Sequence, residues 1–532
     1  MTNVSRIGPS SRFITMTSVA LALIALSGCL GMNGVTVEDV HGRFFFNREE
    51  VLEVVLTDES YYHYYLPDDD VHTFVVTESA ATEKRALNRA FLKASLDADG
   101  FGVAGSSSMG DWKLEKFLHE QTGEEVAVAS QYRGDTIYAV IVTTEDERID
   151  PGSPPPSIMR IVTSMRFTEA AGEIFVPADL EELESFMQKT TEESGGSISV
   201  AALRDGEVIY THAAGERYRG APADAGVAYN WGSITKLVTA TALMQQVELG
   251  LVDLDAAVSR YVPELTLGQR VILRNLLTHS SGFPDFEVRH LIGYDGVAVP
   301  DLETLLADYI PRAKELVFEP GSMSRYNNWN FLILGVIVER TTGISLTRYA
   351  REYIFDQLGM HETAYSFHDL AIPDANPIIG ADGKRAFVSV MASHGIDPTQ
   401  LILEEDDDFV YLDHVDIVSA WGGARSTARD AVRFGWAFVN NGQVGGTRIL
   451  ERKTAKQMMT MQKANDGTPF GMGLGWFLGR DDEGRYVEHS GGGPGINSLL
   501  RFYPGSNLVV AVLGNTNDYN PSQLLKYIVK LL

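Results

Sequence analysis

The stretch SISVAALRDGEVIYTHAAGE, residues 197–216, constrains the fold most. Two apolar runs meet at Gly206, which suits a tight hairpin turn, and strands joined by so short a connection pair antiparallel. A parallel βαβ crossover needs a dozen or more intervening residues and does not fit here. Near the C-terminus, GRYVEHSGGGPGINSLLRFYPGSNLVVAVLGNTND (484–518) reads as further strands with glycine-rich turns, and PSQLLKYIVKLL as a closing amphipathic helix for the same sheet. Helices are expected at DLEELESFMQKTTEE (179–193), after GSITK, in LRNLLTHSSGFPDF, from about 301 to 315, and in FLILGVIVERTTG. Residues 179–532 therefore read as one large α/β (α+β) domain in which helices flank an antiparallel sheet.

At 532 residues, with 44% hydrophobic and 10% aromatic side chains, the chain has material for more than one core. Residues 36–168 read as a separate small α/β module, joined to the large domain by a linker at 169–178. RFFF, HTFVVTES, EEVAVASQ and DTIYAVIVTT have strand composition. AATEKRALNRAFLKASLD and SIMRIVTSMRF are helix candidates, and DPGSPPPS is too proline-rich for either element. YYHYYLPDDD reads either as an aromatic platform for a glycan or as a half-buried strand before a solvated acidic loop. The acidic run EEDDDF (404–409) lacks the spaced ligands and glycine of a calcium loop and reads as solvated.

The sole cysteine, Cys29, lies in SVALALIALSGCLG, preceded by Arg6 and Arg12 and by no acidic residue. That is the make-up of an export signal, too short to span a bilayer. Leu26, Ser27, Gly28 and Cys29 resemble the lipobox of bacterial lipoproteins. The resemblance implies cleavage of residues 1–28, a lipid anchor on Cys29, a tether at 29–35 and a place on the periplasmic face of the envelope; Leu30 fits sorting to the outer membrane. A net charge of −27 without any basic run excludes a nucleic-acid partner. Absence of an H-E-x-x-H motif or a cysteine pair gives no reason to expect a metal, and no cofactor is expected.

In YNWGSITKLVTATALMQQVELG (229–250), Ser233 stands where a helix N-cap would, yet Lys236 occupies the first turn. A cation there opposes the helix dipole at a cost of about 0.3–1 kcal/mol. Serine attacks a carbonyl only when a base takes its proton, and a lysine one turn away, desolvated at a helix start, has its pKa lowered into a useful range. Ser233 is thus either a cap or a nucleophile with Lys236 as base. Alone, the spacing is weak. One Tyr-x-Asn follows at Tyr326 and Asn328, and one glycine-rich strand element at His489 to Gly492.

With these elements in order, residues 179–532 resemble the serine β-lactamase-like superfamily, in the branch with class C β-lactamases, D-alanyl-D-alanine carboxypeptidases, D-aminopeptidases and family VIII carboxylesterases. LLTHSSGFPDF, FEPGSMSRYNNWNFLILGVIVERTTG, AWGGARSTARDAVRFGWAFVNNG and GMGLGWFL look like recurrent blocks of that family. The resemblance implies its sheet with a helical subdomain, and acylation of Ser233. It implies that Lys236 and Tyr326 share the base work, and that Tyr326 protonates the leaving group after Lys236 has lowered its pKa. Asn328 would bind substrate and help hold Lys236. His489 and Gly491 belong to the third element, and the N–H groups of Ser233 and Gly492 form the oxyanion hole. In isolation Tyr326, Asn328 and the glycines also read as turn residues, and His489 as a strand histidine. His279 is assigned no chemistry, and Trp231, Trp329 and Trp476 line a cleft or fill the core.

His489 stands where β-lactamases have lysine. A permanent cation there suits the carboxylate of a β-lactam or a terminal D-alanine, whereas histidine is mostly neutral near pH 7. The expected activity is therefore acyl transfer from an ester or amide to water, with a small-molecule or peptide substrate. The alternatives are a D-amino-acid peptidase, carboxypeptidase or β-lactamase near peptidoglycan and, from another class, a non-catalytic binding lipoprotein.

Overall fold

The computed structural model describes ten strands between residues 34 and 167, and residues 177–532 except 286–291, 294–297, most of 381–396, 406–407, 482 and 518. The chain divides into two compact units, Met1–Phe175 and Val176–Leu532. The export segment with Cys29, the helix candidate at 80–97 and the proline-rich loop lie outside the described residues.

In the first unit the strands are β1 (Gly34–Glu38), β2 (Phe44–Glu49), β3 (Glu53–Asp58), β4 (Tyr61–Leu66), β5 (Val71–Ser79), β6 (Phe101–Met109), β7 (Trp112–His119), β8 (Glu125–Arg133), β9 (Thr136–Thr144) and β10 (Arg166–Phe167). They form a seven-stranded sheet, β3-β4-β5-β9-β8-β7-β6, and a three-stranded one, β1-β2-β10. The four stretches of strand composition fall in β2, β5, β8 and β9. YYHYYL is β4, and the acidic residues after it lie outside the described residues. SIMRIVTSMRF is likewise undescribed except for its last two residues, and these are strand, not helix. Arg166 and Phe167 pair with Phe45 and Phe44, and a ladder to a distant strand overrides local helical spacing.

In the second unit the hairpin forms β11 (Ser197–Arg204) and β12 (Glu207–Tyr218). Asp205 and Gly206 both have positive φ, 52° and 91°, the backbone a two-residue hairpin turn requires. With β13 (Ala221–Pro222), β14 (Phe477–Asp481), β15 (Gly484–Gly493), β16 (Ile496–Tyr503) and β17 (Leu508–Gly514) they make an antiparallel sheet in the order β13-β12-β11-β17-β16-β15-β14. The two ends of the domain meet at its centre, Ile198 opposite Gly514 through Arg204 opposite Leu508.

Helices α1 (Leu180–Ser194), α2 (Thr235–Glu248), α3 (Leu273–Leu277), α4 (Leu302–Tyr309), α5 (Asn328–Thr342), α6 (Ala428–Val439) and α7 (Pro521–Leu531) surround this sheet. Every residue of β17 is buried because both faces are covered. Val509, Ala511 and Leu513 join the large core containing α2, α5 and α6, whereas Leu508, Val510 and Val512 pack beneath α1 and α7. Helix α4 ends at Tyr309, short of the expected 315, because Pro311 has no N–H for the carbonyl four residues back. Trp231, Trp329 and Trp476 are core residues rather than cleft walls, each at most 1% exposed; Trp329 stacks on Tyr309 with ring centroids 4.3 Å apart. The described glutamates of the acidic run lie at the surface, where Glu404 pairs with Arg219 and Glu405 with Lys384, each side chain at least 40% exposed.

Candidate active site

Ser233 lies in a single 3-10 turn, Gly232–Ile234, that feeds α2. Its hydroxyl caps nothing. The N-cap position of α2 is Ile234, which offers no side-chain bond. Ser233 Oγ lies instead 2.9 Å from Lys236 Nζ and accepts a 2.8 Å hydrogen bond from Tyr326 Oη. The turn is held by Asn230, whose Oδ1 accepts the Gly232 N–H at 2.6 Å, and by Trp231 N–H donating to the Ala424 carbonyl at 2.8 Å.

Lys236 is wholly buried because α2 is enclosed over most of its length: Thr235 through Met244 are all buried. Burial holds its ammonium well below the ordinary lysine range, against the smaller opposing pull of Asp285. The amine also donates to the Trp421 carbonyl at 3.2 Å. Asn328, half-buried at the start of α5, makes no hydrogen bond to Lys236 among the described residues. The holding role expected of Asn328 thus falls to a backbone carbonyl of the AWGG block.

Tyr326 departs from its expected electrostatics. Burial raises its pKa, and the hydrogen bond to Ser233 lowers it less. The hydrogen bond to Ser233, rather than Lys236, is what lowers it, and the same burial disfavours the charged form of Lys236. The resting site therefore holds, on one serine oxygen, an amine whose charged form is disfavoured and a protonated phenol. The amine can take the serine proton, and the phenol can deliver a proton to a leaving atom.

His489 faces the same side of β15 as Gly491 and is 1% exposed. Its Nδ1 lies 2.7 Å from the Ser490 carbonyl, and a carbonyl only accepts, so the ring proton is on Nδ1. Nε2 is then a buried lone pair without a partner among the described residues. Burial, and secondarily Lys236, push the pKa of His489 down to about 3. The glycines bring β15 against the nucleophile. A Cβ on Gly491 would lie 1.9 Å from the Trp231 carbonyl oxygen and 3.2 Å from Ser233 N, and one on Gly232, at φ +51°, would lie 2.9 Å from Gly492 N. The N–H groups of Ser233 and Gly492 thus sit on touching backbones, as an oxyanion hole requires. Gly491, Gly492 and Gly493 are strand residues, and the turn follows them.

His279 is also part of this site. It is fully buried with φ +53°, and its ring lies 4.3 Å from that of Tyr326. Its contacts with the chain around Tyr326 reveal it, because 47 residues separate the two in the chain. Among the described residues no cluster of three or more His, Cys, Asp or Glu side chains could hold a metal.

The sheet, the Ser-x-x-Lys turn and the apposed glycine strand define a serine hydrolase fold and site of the β-lactamase type. The family model described as Beta-lactamase matches residues 183–532, and the chain belongs to that family. It is 24% identical to Penicillin-binding protein 4* of Bacillus subtilis, over 60% of this chain and 68% of that one. Penicillin-binding protein 4 of Amycolatopsis lactamdurans is 29% identical over 62% and 84% of the respective chains. Among solved structures, the octameric penicillin-binding protein homologue of Pyrococcus abyssi aligns with a TM-score of 0.55 at 26% identity, covering 66% of this chain and 77% of that one.

Proposed function

We propose that this protein hydrolyses esters or amides whose acyl part is neutral or carries an amine, through an acyl-enzyme on Ser233. The state of His489 carries this reading. Where a lysine would present a cation to a carboxylate, His489 is buried and neutral and turns its Nδ1–H into its own strand. A neutral, buried imidazole supplies no charge to hold a substrate carboxylate. Asp285, whose charge acts on both Lys236 and Tyr326, adds to the preference. Attack by Ser233 passes its proton to Lys236, the N–H groups of Ser233 and Gly492 stabilise the tetrahedral oxyanion, and Tyr326 protonates the leaving group. Water then releases the acyl group.

Comparing kcat/KM on p-nitrophenyl esters of neutral acids, amino-acid p-nitroanilides, nitrocefin and a D-alanyl-D-alanine peptide tests the preference. Esters or amine-bearing amides lead on this reading, and nitrocefin turning over faster than every one of them overturns it. A second reading, a peptidase or β-lactamase taking an anionic end, draws on the names of the penicillin-binding relatives; it is distinguished by dominance of the last two substrates. Failure of the folded protein to react with a fluorophosphonate at Ser233 would favour a binding protein instead. For location, the proposal is lipid attachment at Cys29 on the periplasmic face of the outer membrane. Cys29→Ala should release the protein from the membrane fraction.

A further inference from the structure

One residue grips the chain on both sides of Tyr326. The carbonyl of His279 accepts the Arg325 N–H at 2.8 Å, and its Nδ1 accepts the Asn327 N–H at 3.1 Å. Between these two anchors, the imidazole lies against the phenol, ring centroids 4.3 Å apart and planes tilted by 32°. Phe331 backs the imidazole at 5.3 Å. The grip demands an unusual backbone: with φ at +53°, His279 turns its carbonyl and its ring toward the same segment. The loop around it is a mould for the chain before α5. Ser280 and Gly282 carbonyls accept from Gly321 and Val317, Ser324 Oγ donates to the Thr278 carbonyl, and Asn327 Nδ2 donates to the Phe283 carbonyl. Since Nδ1 accepts, the imidazole proton is on Nε2, and that buried atom has no partner among the described residues. An orphaned buried donor costs about 1–3 kcal/mol, so stability alone is a poor reason for a histidine here.

We propose that His279 is a positioning residue for Tyr326, fixing the phenol against Ser233 Oγ by stacking on its ring and bonding the backbone on either side. The inference rests on the reading of Ser233 and Tyr326 given above. A phenol displaced by about 1 Å loses its line to the leaving atom, and such displacements cost about 10²-fold in rate.

The test is a double-mutant cycle in the full chain, read as kcat and KM on a p-nitrophenyl ester and as the rate of fluorophosphonate inactivation. His279→Asn tolerates the left-handed backbone and keeps an acceptor but removes the ring. Alone it should lower kcat about 10–100-fold with KM within about threefold. In a Tyr326→Phe background the same change should cost less than about threefold, because there is no phenolic proton left to aim. His279→Phe, which keeps a ring but no acceptor, goes through the same cycle and should show the same coupling. Losses that multiply independently of Tyr326 overturn the proposal, as does unchanged kcat in His279→Asn or failure of both variants to fold. Full turnover in Ser233→Ala or Tyr326→Phe would instead refute the underlying site.

Discussion

Lys236 Nζ and Ser233 Oγ stand 2.9 Å apart at the head of a helix buried on every side. The environment that makes the lysine a base also makes it an expensive residue to fold. Replacing it with methionine should therefore separate the two effects. Lys236→Met is expected to lower kcat by at least about 10²–10⁴-fold and to raise stability by about 1 kcal/mol, or roughly 2 °C in melting temperature. Thermal melts beside ester assays check both, and a lower melting temperature would show that the buried amine stabilises the fold.

The rate should depend on pH through Lys236. Its folded pKa lies well below the ordinary value, and the neutral amine is the working form, so kcat/KM rises with pH through that folded pKa. His489, pushed down to about 3, and His279, also held low by burial, stay neutral throughout. His489→Gln should leave the acid limb of the profile where it is. A limb that moves with this substitution would assign the titration to the histidine.

Stability should carry a separate signature of His489. Its folded pKa of about 3 lies below the unfolded value of about 6.5. The contribution is fully present above pH 6.5 and is lost as pH falls toward 3, because the unfolded chain then binds the additional proton. Asp374 and Asp430, raised to about 6, work in the opposite direction below pH 6 and are common to wild type and variant. The stability of wild type relative to His489→Gln should thus decline from pH 6.5 to 3, as measured by denaturant titrations across that range.

Two neighbouring glycines should respond differently to one methyl group. At Gly491 a Cβ meets the Trp231 carbonyl at 1.9 Å, so Gly491→Ala must push β15 away from the nucleophile. A loss of about 10²-fold or more in kcat is expected. At Gly492 nothing lies within 4 Å of the new Cβ. Gly492→Ala should fold and keep kcat within about tenfold, with any change falling mainly on KM. Equal effects at both positions would remove the argument for a close approach between strand and nucleophile.

Tyr326→Phe should lower kcat about 10²–10⁴-fold while changing stability little, since the phenol donates its hydrogen bond to Ser233 Oγ. Because burial raises the Tyr326 pKa, the wild-type rate should remain flat on the alkaline side up to pH 10. Loss of rate between pH 8 and 10 in a protein still folded would place the phenol's titration in the ordinary range.

The parts legible in sequence were those governed by local chemistry. Ser233, Lys236, Tyr326, Asn328 and the His489 to Gly492 strand were legible through their joint order along the chain, each spacing being weak alone, and the structure brings Ser233, Lys236 and Tyr326 within hydrogen-bond reach. The hairpin at Gly206 was legible because positive φ at two adjacent positions narrows the choice of residue. Protonation was not legible. Lys236 and Tyr326 were expected to cooperate as cation and lowered phenol, but burial drives both toward neutrality, and burial is a property of the surrounding helices and sheet.

Sequence by itself therefore determined the sheet's antiparallel character and singled out Ser233, Lys236, Tyr326 and His489 as candidates, because φ preferences, spacing and functional groups belong to individual residues. Only the tertiary structure decided what holds those residues and in which state. The Trp421 carbonyl binds Lys236 across 185 residues of chain, His279 clasps Tyr326 from 47 residues away, and His489 is neutral with its proton turned into its own strand. Such contacts arise from packing between distant segments, where desolvation and geometry are set by everything around the residue.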